Sequence, residues 1–292
     1  MKPEQLLAKV EIAMARSMVD WADVPAGQDS PLNYAVSMRD KNTIQMVEDA
    51  LNQGRVMLAY QAVVPSRNTA KPAFYEGLIR ILDDSKRILP AKDFMNAIEV
   101  TEVGRKIDCM ALKRGLIEMR KHQDLRLSIN MSARSIGYAR WTYILEKGIR
   151  EDPTIAERLI LEITESSAIM VPELVVSFMN KLQKKGISFA LDDFGSGYTS
   201  FKYLKDFYFD ILKIDGRYIR GIAANPDNQI IARAITTLAR DFDMVSVAEN
   251  VETPEDVLFL QQMGMDCLQG YFFGAPTVKP VWHNDAYEEK TA

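Results

Sequence analysis

From about position 55 the chain alternates between short apolar runs and longer stretches whose apolar residues recur every three or four positions. The short runs are VMLAYQAVV (56–64), AFYEGLIR (73–80), LRLSIN (125–130), RLILEI (158–163), ISFALD (187–192), DILKI (210–214), MVSVAE (244–249) and MDCLQG (265–270). Their length and β-branched content predict strands. VPELVVSFMNKLQKKG (171–186) and TPEDVLFLQQMG (253–264) predict helices ended by glycine. Helices alternating with continuously apolar strands predict a largely parallel sheet. Eight strands over this span predict a closed α/β barrel, with an open doubly wound sheet as the competitor. The first two strands are joined by a short connection holding Pro65 and Pro72. A parallel crossover needs a dozen or more residues, so this pair is predicted to be antiparallel and the barrel irregular at its start.

The stretch before Arg55 has a different rhythm. Leu6, Leu7, Val10, Met14 and Met18 give helical spacing over Pro3–Trp21, AGQDSP (26–31) reads as a loop, and a second helix is predicted from about Asp40 to Leu51. Residues 1–44 are therefore expected to form a helical extension or linker, and residues 45–292 the barrel. No apolar run reaches the roughly 18 residues of a membrane helix. The N-terminus lacks the apolar core of a signal peptide, and the thiols are few, so a reducing cytoplasm is the expected compartment.

Charge and composition narrow the chemistry. Forty acidic residues face 36 basic ones, and the chain has only two cysteines and two histidines. That set supports neither a disulfide framework nor a tetrahedral cysteine–zinc site, and two histidines so far apart in the chain do not suggest a His-rich centre. The slightly acidic balance also argues against non-specific DNA or RNA binding. Hydrolytic chemistry would have to rest on carboxylates, amides, lysines and hydroxyls.

Those groups sit where the strands end. Glu76 and Arg80 lie on the second run, Asn130 ends the third and Glu162 the fourth. Asp192 and Asp193 end the fifth, Lys213 and Asp215 the sixth, Glu249 the seventh and Gln269 the eighth. In a parallel barrel such ends meet at one mouth. Taken singly, each has an ordinary explanation: Asp193 as a helix cap, Asn130 as turn chemistry, Lys213 as a surface lysine. Together, like charges at one mouth raise one another's pKa unless a cation is bound. Hard divalent ions take oxygen ligands, and adjacent aspartates suit the bridging of two such ions. FGSGYTS (194–200), beside them, reads as a lid or coupling loop.

These residues carry a resemblance. EGLIR (76–80), SINMS (128–132), LEITES (161–166), LDDFGSGYTSFKYLK (191–205), ILKID (211–215), VAENVET (247–253) and LQGYFFGAP (268–276) resemble, in order, the motifs of the EAL-domain cyclic di-GMP phosphodiesterases. The resemblance implies a modified TIM (β/α)8 barrel with an antiparallel first strand. It also implies hydrolysis of cyclic di-GMP to linear pGpG with Mg²⁺ or Mn²⁺. Carried over by motif, Glu76, Asn130, Glu162 and Asp192 would hold one ion, and Asp192, Asp193 and Glu249 the second. Lys213, with Gln269 beside it, would hold the attacking water. Glu165 would anchor the FGSGYTS loop, Arg80 would grip a phosphate, Gln61 would line the nucleotide groove, and Glu252 would stand close by. A homodimer built near the FGSGYTS loop is likewise implied.

Three positions depart from the family pattern. Gly77 stands for an alanine and is expected to loosen the backbone beside Glu76. Asn250 stands for a glycine, and asparagine tolerates positive φ. Ala62 stands for a proline. None removes a ligand. The competing readings are a catalytically weak cyclic di-GMP receptor, which would be expected to have lost ligands, and another Mg²⁺-dependent barrel enzyme, such as a lyase using Lys213 as base.

Overall fold

The structure, a computed structural model, describes residues 31–196 and 204–283. The helix expected over Pro3–Trp21, most of the loop at 26–31 and the second half of FGSGYTS lie outside the described residues.

Nine strands are described: β1 Val56–Pro65, β2 Phe74–Leu82, β3 Ile88–Pro90, β4 Leu127–Asn130, β5 Leu159–Thr164, β6 Ser188–Phe194, β7 Ile211–Ile214, β8 Val245–Ala248 and β9 Cys267–Leu268. Eight of them close a ring, β1–β2–β4–β5–β6–β7–β8–β9 and back to β1. β1 runs antiparallel to both of its neighbours, and the remaining ring pairings are parallel. β3 has no counterpart in the expected strands. It hangs on β2 as a three-residue antiparallel edge, too short to show a periodicity. The last expected strand shrinks to two residues, so Gln269 stands just past its end.

Among the helices, α1 covers Pro31–Asn52, α2 Met95–Ile98, α3 Glu102–Lys121, α4 Ala139–Glu151, α5 Glu165–Met170, α6 Pro172–Gln183, α7 Gly216–Ile219, α8 Pro226–Asp241 and α9 Pro254–Met263. α1 is already helical at Pro31, ahead of the start expected near Asp40. The preceding half of α1 leaves Val36 and Met38 exposed, so its apolar periodicity emerges only where Val47 and Ala50 are buried beside α3. Lys106 of α3 holds Glu48 there at 2.7 Å. α9 has the termini its sequence predicts: the Thr253 side chain accepts from the Asp256 amide, Pro254 follows, and Gly264 closes it at φ 87°.

The core has two parts. A large apolar layer lies between the helices and the barrel. A smaller cluster fills the barrel and contains Val63, Phe74, Ile160, Ala190, Ile211, Val247 and Cys267. Phe74, Ile160, Ala190, Ile211, Val247 and Cys267 stand two positions before Glu76, Glu162, Asp192, Lys213, Glu249 and Gln269. Side chains two apart on a strand share a face. An apolar plug thus lies one layer below the polar residues and turns them to the mouth.

Candidate functional site

Strand register brings the polar residues to one level. Gln61 pairs with Glu76 across β1–β2, and Asn130 with Glu162 across β4–β5. Asp192 and Asp193 are neighbours in β6, and a regular strand would point them to opposite faces. The β6–β7 register slips between Leu191 and Phe194, and Asp193 adopts φ 55°. This bulge lets adjacent aspartates serve one site. Oxygen atoms of Asp192, Asp193 and Glu249 come within 4.8 Å of one another.

Lys213 stands at the centre and is fully buried, which overturns its single-residue reading as a surface lysine. Its Nζ lies 2.7 Å from Glu162 Oε2, 2.8 Å from Glu249 Oε1, 3.0 Å from Asp192 Oδ1 and 3.3 Å from Glu76 Oε2. Asn130 Nδ2 donates to Glu76 Oε1 at 2.7 Å, and Gln269 Nε2 donates to Glu76 Oε2 at 2.7 Å and to Gln61 Oε1 at 3.2 Å. Gln61 Nε2 in turn donates to the Gly274 carbonyl at 3.1 Å.

Glu165 opens α5, where its Oε2 accepts from the Gly195 amide at 3.0 Å at the start of the glycine loop. Arg80 is half-buried in a cavity of about 480 Å³ that also meets Gln61, Glu76, Glu249 and Gln269. Two of the predicted residues stay apart from the Lys213 cluster. Glu252 pairs with Arg220 at 3.1 Å, and Asp215 caps α7 through the Arg217 amide. Sequence reasoning missed Lys92 and Tyr271, which also line the cavity. Lys92 follows the short β3, where no pattern marks it.

The charges do not balance among protein groups. Five carboxylates meet one ammonium. Burial, Glu76 and Asp192 push Glu162 up to about 8, and burial with Asp192 pushes Asp193 up to about 6. Burial also drives Glu249 well above the usual carboxylate range. Burial would raise Glu76 too, but Lys213, Gln269 and Asn130 hold it below its ordinary value. Desolvation works against the Lys213 ammonium, yet the surrounding carboxylates raise its pKa well above normal. Glu162 Oε1 and Gln269 Oε1 are buried without a hydrogen-bond partner among the described residues. An all-oxygen donor set, surplus negative charge and orphaned acceptors fit hard divalent cations.

Gly77 lies within the regular pairing of β2 with β1 and β4. A β-carbon there would stand 2.7 Å from Ile129 Cδ1, so that side chain already occupies the methyl's space. Asn250 does adopt positive φ, 54°.

Fold and site together define an α/β barrel with a carboxylate-lined mouth suited to divalent cations. The chain belongs to the EAL domain family, whose profile matches residues 44–276. It is 31% identical over 234 residues to cyclic di-GMP phosphodiesterase PdeB of Shewanella oneidensis, covering 79% of this chain and 27% of that protein. It is 28% identical over 247 residues to cyclic di-GMP phosphodiesterase NbdA of Pseudomonas aeruginosa, covering 82% of this chain and 31% of that protein. The chain thus spans less than a third of each of these curated relatives. The PaMucR phosphodiesterase in complex with c-di-GMP superposes with TM-score 0.72 at 27% identity, over 83% of this chain and 99% of that one. The FimX EAL domain from Pseudomonas aeruginosa bound to c-di-GMP shares the fold, with TM-score 0.74 at 22% identity over 81% of this chain and 96% of that one.

Proposed function

We propose that this chain hydrolyses cyclic di-GMP to linear pGpG with two divalent cations, Mg²⁺ or Mn²⁺. The observation that carries the reading is the convergence of Glu76, Glu162, Asp192, Asp193 and Glu249 around the buried Lys213 at the barrel mouth. Glu76, Asn130, Glu162 and Asp192 would hold one ion, and Asp192, Asp193 and Glu249 the other. When bound, such ions would supply Lewis acidity, lowering the pKa of a coordinated water and offsetting charge on the phosphate.

The remaining tasks fall to the chain itself. Lys213 is held as a cation by its four carboxylate neighbours, and its ammonium would hold the attacking water. Gln269 and Asn130 fix both oxygens of Glu76 by donating to them, so that carboxylate needs no reorganisation. Arg80 offers a half-buried guanidinium to a phosphate, and Gln61 lines the groove beside it. Glu165 steadies the glycine loop through the Gly195 amide. Glu252 is engaged by Arg220, outside the Lys213 cluster.

The test is a turnover assay on cyclic di-GMP with Mg²⁺ or Mn²⁺. Formation of pGpG that disappears in Glu76→Ala and Asp192→Ala is expected. Tight binding without turnover under either metal would replace the enzyme by a receptor.

A further inference from the structure

The turn that carries Glu249 is held in a slot between two glycines. On one side lies Gly216, the first residue of α7, just past the end of β7. A β-carbon on Gly216 would fall 1.8 Å from Asn250 Nδ2, 2.6 Å from its Cγ and 2.7 Å from its Cβ. On the other side lies Gly270, where a β-carbon would fall 2.0 Å from the Val251 carbonyl oxygen and 2.3 Å from its amide nitrogen. Backbone bonds tie the same turn to both walls: Glu249 N to Ile214 O at 3.4 Å and Val251 N to Gln269 O at 3.0 Å. Asn250 sits at φ 54°, a region that asparagine enters more readily than most residues.

We propose that Asn250, seated on Gly216, is the positioning residue that aims Glu249 at the second cation site. The inference rests on the two-cation reading above. Three geometric facts carry it. The Asn250 side chain lies against the Gly216 backbone, so the pair locks the end of β8 to the end of β7, which bears Lys213. Because the Asn250 Cβ itself is 2.7 Å from that point, rotating the side chain cannot make room for a larger residue at 216; the backbone beside Glu249 must move. Glu249 has its carboxylate on Lys213 at 2.8 Å and within reach of Asp192 and Asp193, so a shift of its backbone is felt directly in that cluster. Asn250 also lines the cavity beside Glu249, so metal affinity measured without substrate is the readout that isolates its hold on Glu249.

A double-mutant cycle on the full chain tests this, with Asn250→Gly, Gly216→Ala and the combined variant. The readouts are Mn²⁺ binding by calorimetry, thermal unfolding with chelator, and kcat and KM on cyclic di-GMP. Asn250→Gly is expected to weaken Mn²⁺ binding in the absence of substrate and to lower kcat, each by about fivefold, because the turn that carries Glu249 gains freedom. Gly216→Ala is expected to lose roughly tenfold or more in the same quantities, and the combined variant to recover most of that extra loss. If Gly216→Ala alone does not fold while the combined variant does, the coupling is demonstrated in stability instead. Equal effects of Gly216→Ala in both backgrounds, or Mn²⁺ binding unchanged in Asn250→Gly, would overturn the proposal. Wild-type Mn²⁺ binding without pGpG would overturn the enzyme reading while leaving this cycle readable in metal affinity and unfolding.

Discussion

Lys213 shows how far one residue's role depends on its neighbours. A lysine at a strand end is ordinarily a solvated charge, yet here it is buried and neutralises part of a five-carboxylate cluster. Lys213→Met should therefore lose about 3–5 kcal/mol of stability in chelator, since it strands buried charges; urea unfolding would measure this, and Mn²⁺ should recover part of the loss. Gly77 has the opposite character. Gly77→Ala must push aside the tip of Ile129 and crowds the Ser128 carbonyl at 3.3 Å, so a cost of about 1–2 kcal/mol is expected, relieved in part when Ile129→Val is added. Asp108, on α3, is buried and pushed up to about 7 by desolvation, despite bonds from Ser135 Oγ and the Ser132 amide. Its folded pKa lies above the unfolded value of about 3.9, so its favourable contribution is complete below that value and is lost as pH rises to about 7. Unfolding free energies of the wild type should fall more steeply between pH 4 and 7 than those of Asp108→Asn.

At the scale of elements, the C-terminal strap was the least readable. Thr277 exchanges backbone bonds with Tyr60, Trp282 packs edge-on against Tyr60 and Tyr75 at 5.1 and 4.6 Å, and His283 meets Glu118 at 3.0 Å. His122 lies beside His283, so the two histidines judged remote along the chain are neighbours in space. Trp282→Ala should cost about 2 kcal/mol by thermal unfolding, below the range for fully buried tryptophan because this ring is only partly covered. The strands were far more legible. Six of the seven cavity-filling residues precede a polar site residue by two, a spacing already visible in the sequence, whereas the β6 bulge was not. Nothing in LDDFG announces that Asp193 will turn to φ 55°, because the slip arises from pairing with β7.

For the whole molecule, the polar positions at the mouth were found in sequence because each closes an apolar strand. Lys92, Tyr271 and the Gly216–Asn250 contact were not, because they bring together segments that lie far apart in the chain. Among the described residues, no helix is long and apolar enough to cross a membrane. Removing metal with chelator should lower the unfolding temperature; Mn²⁺ at a hundred times its dissociation constant should add about 2.7 kcal/mol.

The order of strands, the antiparallel start and the identity of the polar residues at the mouth follow from the sequence alone, because strand periodicity and connection length are local properties. Which carboxylate oxygens meet Lys213, how two adjacent aspartates come to share one mouth, and why a lysine among them stays charged are decided only by closure of the barrel. Closure sets register between strands far apart in the chain and removes water from the groups it gathers, and both are consequences of contacts that no single segment contains.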